Sequence, residues 1–201
     1  MRRVTAVEPN SPLLRVGAAN FFLMRLQIKC ESDDTYRIMQ TADRKFDDSF
    51  RLALEKASLS AAEGYNPFSL VLIDVDAFAE IEDTYGPKVS HDLLSMIDGY
   101  IRADLRSVDA LSVDSRANFS LLLANSLTSD GALVCVERIR EKIASTPIYT
   151  SEPLLVSITG AVATWQSGLS VDDLLDAADS TLRAAKLRGS NHVEVWVPDR
   201  A

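Results

Sequence analysis

Phe68-Ser69-Leu70-Val71-Leu72-Ile73 runs almost without a polar break into Asp74-Val75-Asp76. A strand with one wet face alternates apolar and polar residues. This one does not, so it needs apolar cover on both faces of its sheet. Whatever else the chain does, it must place layers on two sides of that strand.

The flanking segments carry the periods that such layers need. From Asp43 to Ala62, Phe46, Phe50, Leu54 and Ala57 recur at steps of three and four, one helical face, until Gly64-Tyr65-Asn66-Pro67 breaks it. Beyond the apolar strand a short helical stretch reaches Tyr85, and Gly86-Pro87 punctuates it. Leu93, Leu94, Ile97, Ile101 and Leu105 then mark a long amphipathic helix. Ala110 to Val113 and Phe119 to Leu123 read as a hairpin around Asp114-Ser115-Arg116. Asp130 to Ile143 is helical with Leu133, Val136, Ile139 and Ile143 inward, and Leu154 to Trp165 is a strand centred on Gly160. Ser170 caps a helix that runs to Gly189, with Asp173 answering it in capping-box fashion, and His192 to Val197 closes as a strand. The order α-β-α-α-β-β-α-β-α-β predicts a mixed sheet in an α/β sandwich rather than strictly alternating βαβ units. Residues 42–201 make up this domain. Residues 1–41 lack a clear period and read as an N-terminal extension.

Charge and composition exclude several classes. Lys and Arg total 21 against 29 Asp and Glu, a net charge of −8 in 201 residues. Such a surface repels phosphate backbones and anionic lipid, so neither nucleic acid nor a membrane is an expected partner. Pro153 to Val171 is uncharged but too polar to span a bilayer, and Phe21-Phe22-Leu23-Met24 is too short and too late for a signal peptide. Cys30, Cys135, His91 and His192 are too few for a disulfide scaffold or a thiolate or histidine metal centre, and fit the cytoplasm.

Asp74-x-Asp76 ends a buried strand, where carboxylates face the crevice in which open sheets bind ligands and can hold magnesium bridged to phosphates. The run from Phe68 through Asp74-Val75-Asp76-Ala77-Phe78 to Gly86 resembles the opening of GGDEF domains, the diguanylate cyclase family. Further resemblances come in the same order: Glu137-Arg138-Ile139-Arg140, Val156 to Ala163, and Ala177 to Asn191 with Lys186. The resemblance spans roughly residues 42–197. It implies a cyclase-like palm fold, with a central, mostly antiparallel mixed sheet flanked by helices.

The family signature falls on Ser115-Arg116-Ala117-Asn118-Phe119, where only the phenylalanine is kept. The two glycines that would let backbone approach a nucleotide are Ser115 and Arg116, and the second metal carboxylate is Ala117. Asp74 alone does not hold two magnesium ions for phosphoryl transfer. The guanine-reading positions fall on Glu82 and His91, and Lys186 is kept as a phosphate contact, so Asp74, Glu82, His91 and Lys186 outline a vestigial cleft. No catalytic residue and no cofactor are therefore expected, with magnesium entering only if Asp74 keeps a vestige of its site.

A second feature of the family is a product-binding R-x-x-D. Arg106-Ser107-Val108-Asp109 begins nine positions before Ser115, the family spacing, and Arg138 matches the arginine that often completes that site. Arg44-Lys45-Phe46-Asp47 also satisfies R-x-x-D, so the pattern gains weight only from its place. Arginine forks suit phosphate oxygens and the O6/N7 edge of guanine, and an aspartate accepts from guanine N–H groups. The expected function is an inactive signalling domain that binds cyclic di-GMP through Arg106, Asp109 and Arg138. Two alternatives stand beside it: a ligand-independent module that docks an unidentified protein or pairs as a homodimer, and a slow cyclase or nucleotide hydrolase using Asp74, Glu82 and Lys186.

Overall fold

A computed structural model describes residues 46–198 apart from 65, 115, 127 and 150–152. The expected N-terminal extension and Arg44 lie outside the described residues. The elements, in order, are α1 (Asp48–Ala62), β1 (Phe68–Val75), α2 (Phe78–Tyr85), α3 (Pro87–Asp104), β2 (Ala110–Val113), β3 (Asn118–Ala124), α4 (Ser129–Ser145), β4 (Ile148–Tyr149), β5 (Pro153–Leu154), β6 (Ile158–Thr164), α5 (Val171–Arg188) and β7 (Val193–Val195).

The apolar strand lies at the centre, as its composition requires. The main sheet runs β2-β3-β1-β6-β7, with β1 antiparallel to both neighbours and only the β6–β7 pair parallel. Successive strand residues point to opposite faces. Val71, Ile73 and Val75 join Leu93, Ile97 and Ile101 of α3 and Val136, Ile139 and Ile143 of α4 in one core. Phe68, Leu70 and Leu72 join Phe50 and Leu54 of α1 and Leu174, Ala178 and Leu182 of α5 in the other. The result is a five-stranded α+β sandwich with helices on both faces.

Local chemistry sets the ends of the elements. The Asp47 carboxylate accepts from Phe50 N at 2.7 Å, so α1 begins at Asp48 rather than Asp43, with Phe46 stacked on Phe50. Ser170 and Asp173 form the expected capping box of α5. Two expectations need correction. The segment Leu154 to Trp165 is two strands: Pro153–Leu154 pairs with Ile148–Tyr149 in a separate hairpin, and only Ile158–Thr164 enters the main sheet. Just past the Val75–Ile158 pair that ends the ladder, Asp76 N donates to the Ser157 carbonyl and Ser157 Oγ donates to the Asp76 carboxylate. On α4, Ala132 is buried and Leu133 only half-buried, because the helix starts at Ser129 and its inward stripe begins at Ala132. Among the described residues, no helix is long and apolar enough to cross a membrane.

Leu72 is fully buried between α1 and α5, so Leu72→Ala is expected to cost about 3 kcal/mol, read from the midpoint of urea unfolding. The hydroxyls of Ser49 and Ser170, with backbone N–H groups, hold the Asp47 and Asp173 carboxyls below their ordinary value. A depressed folded pKa contributes stability that is present above the unfolded value and is lost as pH falls through the folded one. Melting scans are expected to show an acid-side loss below about pH 4, reduced in the Asp47→Asn, Asp173→Asn double variant.

Candidate functional site

The two-residue period of β1 decides what its far end presents. Leu70 and Leu72 face the α5 layer, and Asp74, next on that face, meets the last turn of α5. There Lys186 Nζ donates to Asp74 Oδ2 at 2.8 Å. The strand neighbours of Asp74 are Asn118 on β3 and Thr159 on β6, neither of them charged. The structure thus brings together two of the four cleft residues expected from sequence, Asp74 and Lys186. Glu82 on α2 and His91 on α3 are exposed, and among the described residues no hydrogen bond or ion pair joins either to Asp74 or Lys186.

Asp76 behaves differently from its acidic neighbours. Glu80, Glu82 and Asp83 form the solvated helix face that a charge run suggests. Asp76 precedes the helix and is half-buried, accepting from Ser157 Oγ at 2.6 Å, Thr159 Oγ1 at 2.7 Å and Asn191 N at 3.0 Å. It staples the end of β1 to β6 and to the turn before β7. Asn191 in turn accepts from Arg140 Nη1 of α4 at 2.8 Å, and Arg140 is steadied by Glu137. Among the described residues no group of three His, Cys, Asp or Glu side chains could hold a metal ion. With Asp76 engaged by three donors and Asp74 paired with Lys186, this donor set does not fit a pair of magnesium ions.

The hairpin that carries the signature positions is closed by Asp114. Its Oδ1 accepts from Arg116 N at 2.9 Å and Asn118 N at 3.0 Å, and its Oδ2 accepts from Asn118 Nδ2 at 2.9 Å. Ala117 is buried there in the left-handed region at φ 65°. A side-chain carboxylate organises this turn where glycines would leave it bare.

The second site forms where α3 ends. Asp109 Oδ2 accepts from Arg106 N at 2.8 Å and Arg106 Nε at 3.2 Å; Oδ1 accepts from Arg106 Nη2 at 3.2 Å and Ala124 N at 3.0 Å. Arg106 also donates to the Ala124 carbonyl, so the R-x-x-D turn clamps the end of β3. The hydrogen bond to Asp109 raises the Arg106 pKa further, keeping the guanidinium charged. Arg138 on α4 donates from Nε to Asp104 Oδ1 at 3.1 Å. Cys135 lies within the field of all four groups. Burial pushes its thiol pKa up, Arg138 and Arg106 oppose that, and Asp104 and Asp109 add to it. Sequence reasoning missed Asp104; its one signal was a carboxylate in the last helical turn before Arg106. The other R-x-x-D ends on Asp47, which caps α1.

Comparison with known proteins identifies the arrangement. Residues 44–192 match the family described as diguanylate cyclase, GGDEF domain. Diguanylate cyclase DosC of Escherichia coli (strain K12) is 30% identical over 132 residues, 65% of this chain and 28% of that protein. Response regulator PleD of Caulobacter vibrioides is 31% identical over 137 residues, 66% of this chain and 30% of that one. The chain therefore spans under a third of the length of these relatives. Among solved structures, the GGDEF domain of YfiN (TpbB) from Pseudomonas aeruginosa is similar with a TM-score of 0.70 at 25% identity, covering 75% of this chain and 95% of that one. The GGDEF domain of DgcB from Caulobacter crescentus, solved in complex with c-di-GMP, shares the fold with a TM-score of 0.70 at 21% identity, covering 76% and 96%. A match over nearly three quarters of the sequence, on a β2-β3-β1-β6-β7 sheet with helices on both faces, means that the chain belongs to the GGDEF domain family.

Proposed function

We propose that residues 42–201 form a degenerate GGDEF domain that recognises cyclic di-GMP through the Arg106, Asp109 and Arg138 site and does not turn over GTP. One observation carries this reading: the Asp74 carboxylate, the acidic anchor at the end of β1, is held by the Lys186 ammonium at 2.8 Å. Phosphoryl transfer depends on metal ions to neutralise the developing charge and align the attacking and leaving oxygens. A lysine tied to that carboxylate supplies neither. Ala117 in the hairpin and Asn118 beside Asp74 offer no second acid.

The receptor half of the reading is supported by two exposed guanidiniums on adjoining elements, anchored by carboxylates and ready for phosphate and guanine O6/N7. The cyclic di-GMP complex of the similar DgcB domain points to the same ligand class. The relatives DosC and PleD are matched over under a third of their length, and DosC is named a diguanylate cyclase, so turnover is the alternative that experiment must meet.

Calorimetric titration with cyclic di-GMP is expected to give a dissociation constant of about ten micromolar or tighter, weakened at least about tenfold by Arg106→Ala through the loss of charge-assisted bonds. Absence of binding, or binding indifferent to Arg106→Ala, overturns the receptor reading. Incubation with GTP and magnesium is expected to yield no cyclic dinucleotide by chromatography. Product that disappears in Asp74→Asn would restore the enzyme reading.

A further inference from the structure

Among the described residues, α1, α2, α3 and α4 each close on a backbone bond from the C-cap N–H, given by Glu63, Gly86, Leu105 and Thr146 in turn. The end of α5 is different. Gly189, its C-cap, donates to no carbonyl of the helix. The buried stripe of α5 stops at Ala185, and residues 186–190 are all exposed. A helix end with neither cap nor packing frays. Polar tethers hold this one instead. Lys186 Nζ donates to Asp74 Oδ2 at 2.8 Å, and Arg188 Nη1 donates to Glu194 of β7. Past Gly189, Asn191 N donates to Asp76 Oδ2 at 3.0 Å, and Asn191 Oδ1 accepts from Arg140 Nη1 at 2.8 Å.

The tethers are unequal. The Lys186–Asp74 pair is open to water, and such a pair is too weak to order a helix end by itself. Arg188 and Glu194 brace the turn across itself, so the end of α5 and the start of β7 move as one piece. Asn191 alone ties that piece to the rest of the fold at two well-held groups. Asp76 is also held by Ser157 and Thr159, and Arg140 is only 16% exposed and bonded to Glu137 at 2.7 Å. We propose that the end of α5 is a latch whose catch is on α4: Arg140 and Asp76, acting through Asn191, keep the last turn ordered, and that order keeps Lys186 on Asp74. In the closed state the pair is made. In the frayed state the Asp74 carboxylate is released to solvent. Arg140 and Asn191 are then positioning residues for the acid at the end of β1.

The full chain is acetylated with limiting reagent, and the rate at Lys186 is read by mass spectrometry against exposed Lys56 of α1. Asp74→Asn removes the partner and is expected to raise the Lys186 rate about three- to fivefold, the factor of a weak surface pair. Asn191→Gly keeps the backbone N–H and suits the left-handed φ of 62°, so it removes only the acceptor for Arg140. Asn191→Gly and Arg140→Ala are each expected to raise the rate at least about twofold and to speed hydrogen exchange at residues 187–190. Together they should add nothing to either alone, the pattern of a coupled pair. Thermal melts confirm that each variant is folded, and Arg140→Met replaces Arg140→Ala if that variant melts early. A Lys186 rate that rises in Asp74→Asn but in neither latch variant, or additive rises in the double variant, overturns the proposal. No rise in Asp74→Asn removes the pair itself and the latch with it. No nucleotide enters the measurement, so its outcome is separate from cyclic di-GMP binding and from GTP turnover.

Discussion

The two-sided burial of β1 is the constraint on which the rest depends. Because Phe68, Leu70 and Leu72 enter one core and Val71, Ile73 and Val75 the other, a slip by one residue would send each set into the core packed for the other. That register also fixes the acids at the far end of the strand. Asp74 must emerge on the α5 face, where Lys186 stands, and Asp76, just past the strand end, is placed to staple β6 and the turn at Asn191. The residues that build the core therefore also decide which acid is available for chemistry and which is used up in structure.

The two ion-paired regions differ in kind. Lys186 and Asp74 are 36% and 22% exposed, and a pair so open to water contributes up to about 1 kcal/mol. Its consequence is chemical: it gives the carboxylate a monovalent, hydrogen-bonding partner. Asp109, by contrast, is almost wholly buried and ties together Arg106, its own turn and the end of β3. Removing that carboxylate would strand several donors at once, which costs more than the pair itself contributes.

Much of the fold was legible because its signals are local and strong. The unbroken apolar run of β1 and the 3.6-residue stripes of α1 and α3 each name an element and its buried face, and the Ser170–Asp173 cap marks where α5 begins. The split of Leu154–Trp165 was not legible, since it rests on which partner each part pairs with: Pro153–Leu154 with Ile148–Tyr149, and Ile158–Thr164 with β1. The site divides the same way. Strand-end chemistry and the family resemblance singled out Asp74, Lys186, Arg106, Asp109 and Arg138, but partners across the fold set their states. Nothing near Asp74 in sequence reveals Lys186 at 2.8 Å, and nothing near Arg138 reveals Asp104.

A net charge of −8 does not by itself exclude the anionic dinucleotide proposed as the ligand. At physiological salt, exposed charges are screened beyond about 8 Å, so the field at Arg106 and Arg138 is set by the groups beside them rather than by the total charge of the chain. Within the site, the carboxylates that neutralise the arginines overall are also the groups that orient them. Asp104 and Asp109 reduce long-range attraction for any anion, and each holds its arginine in a hydrogen-bonded geometry. Fixed hydrogen-bond geometry, more than net charge, is what gives a recognition site its specificity.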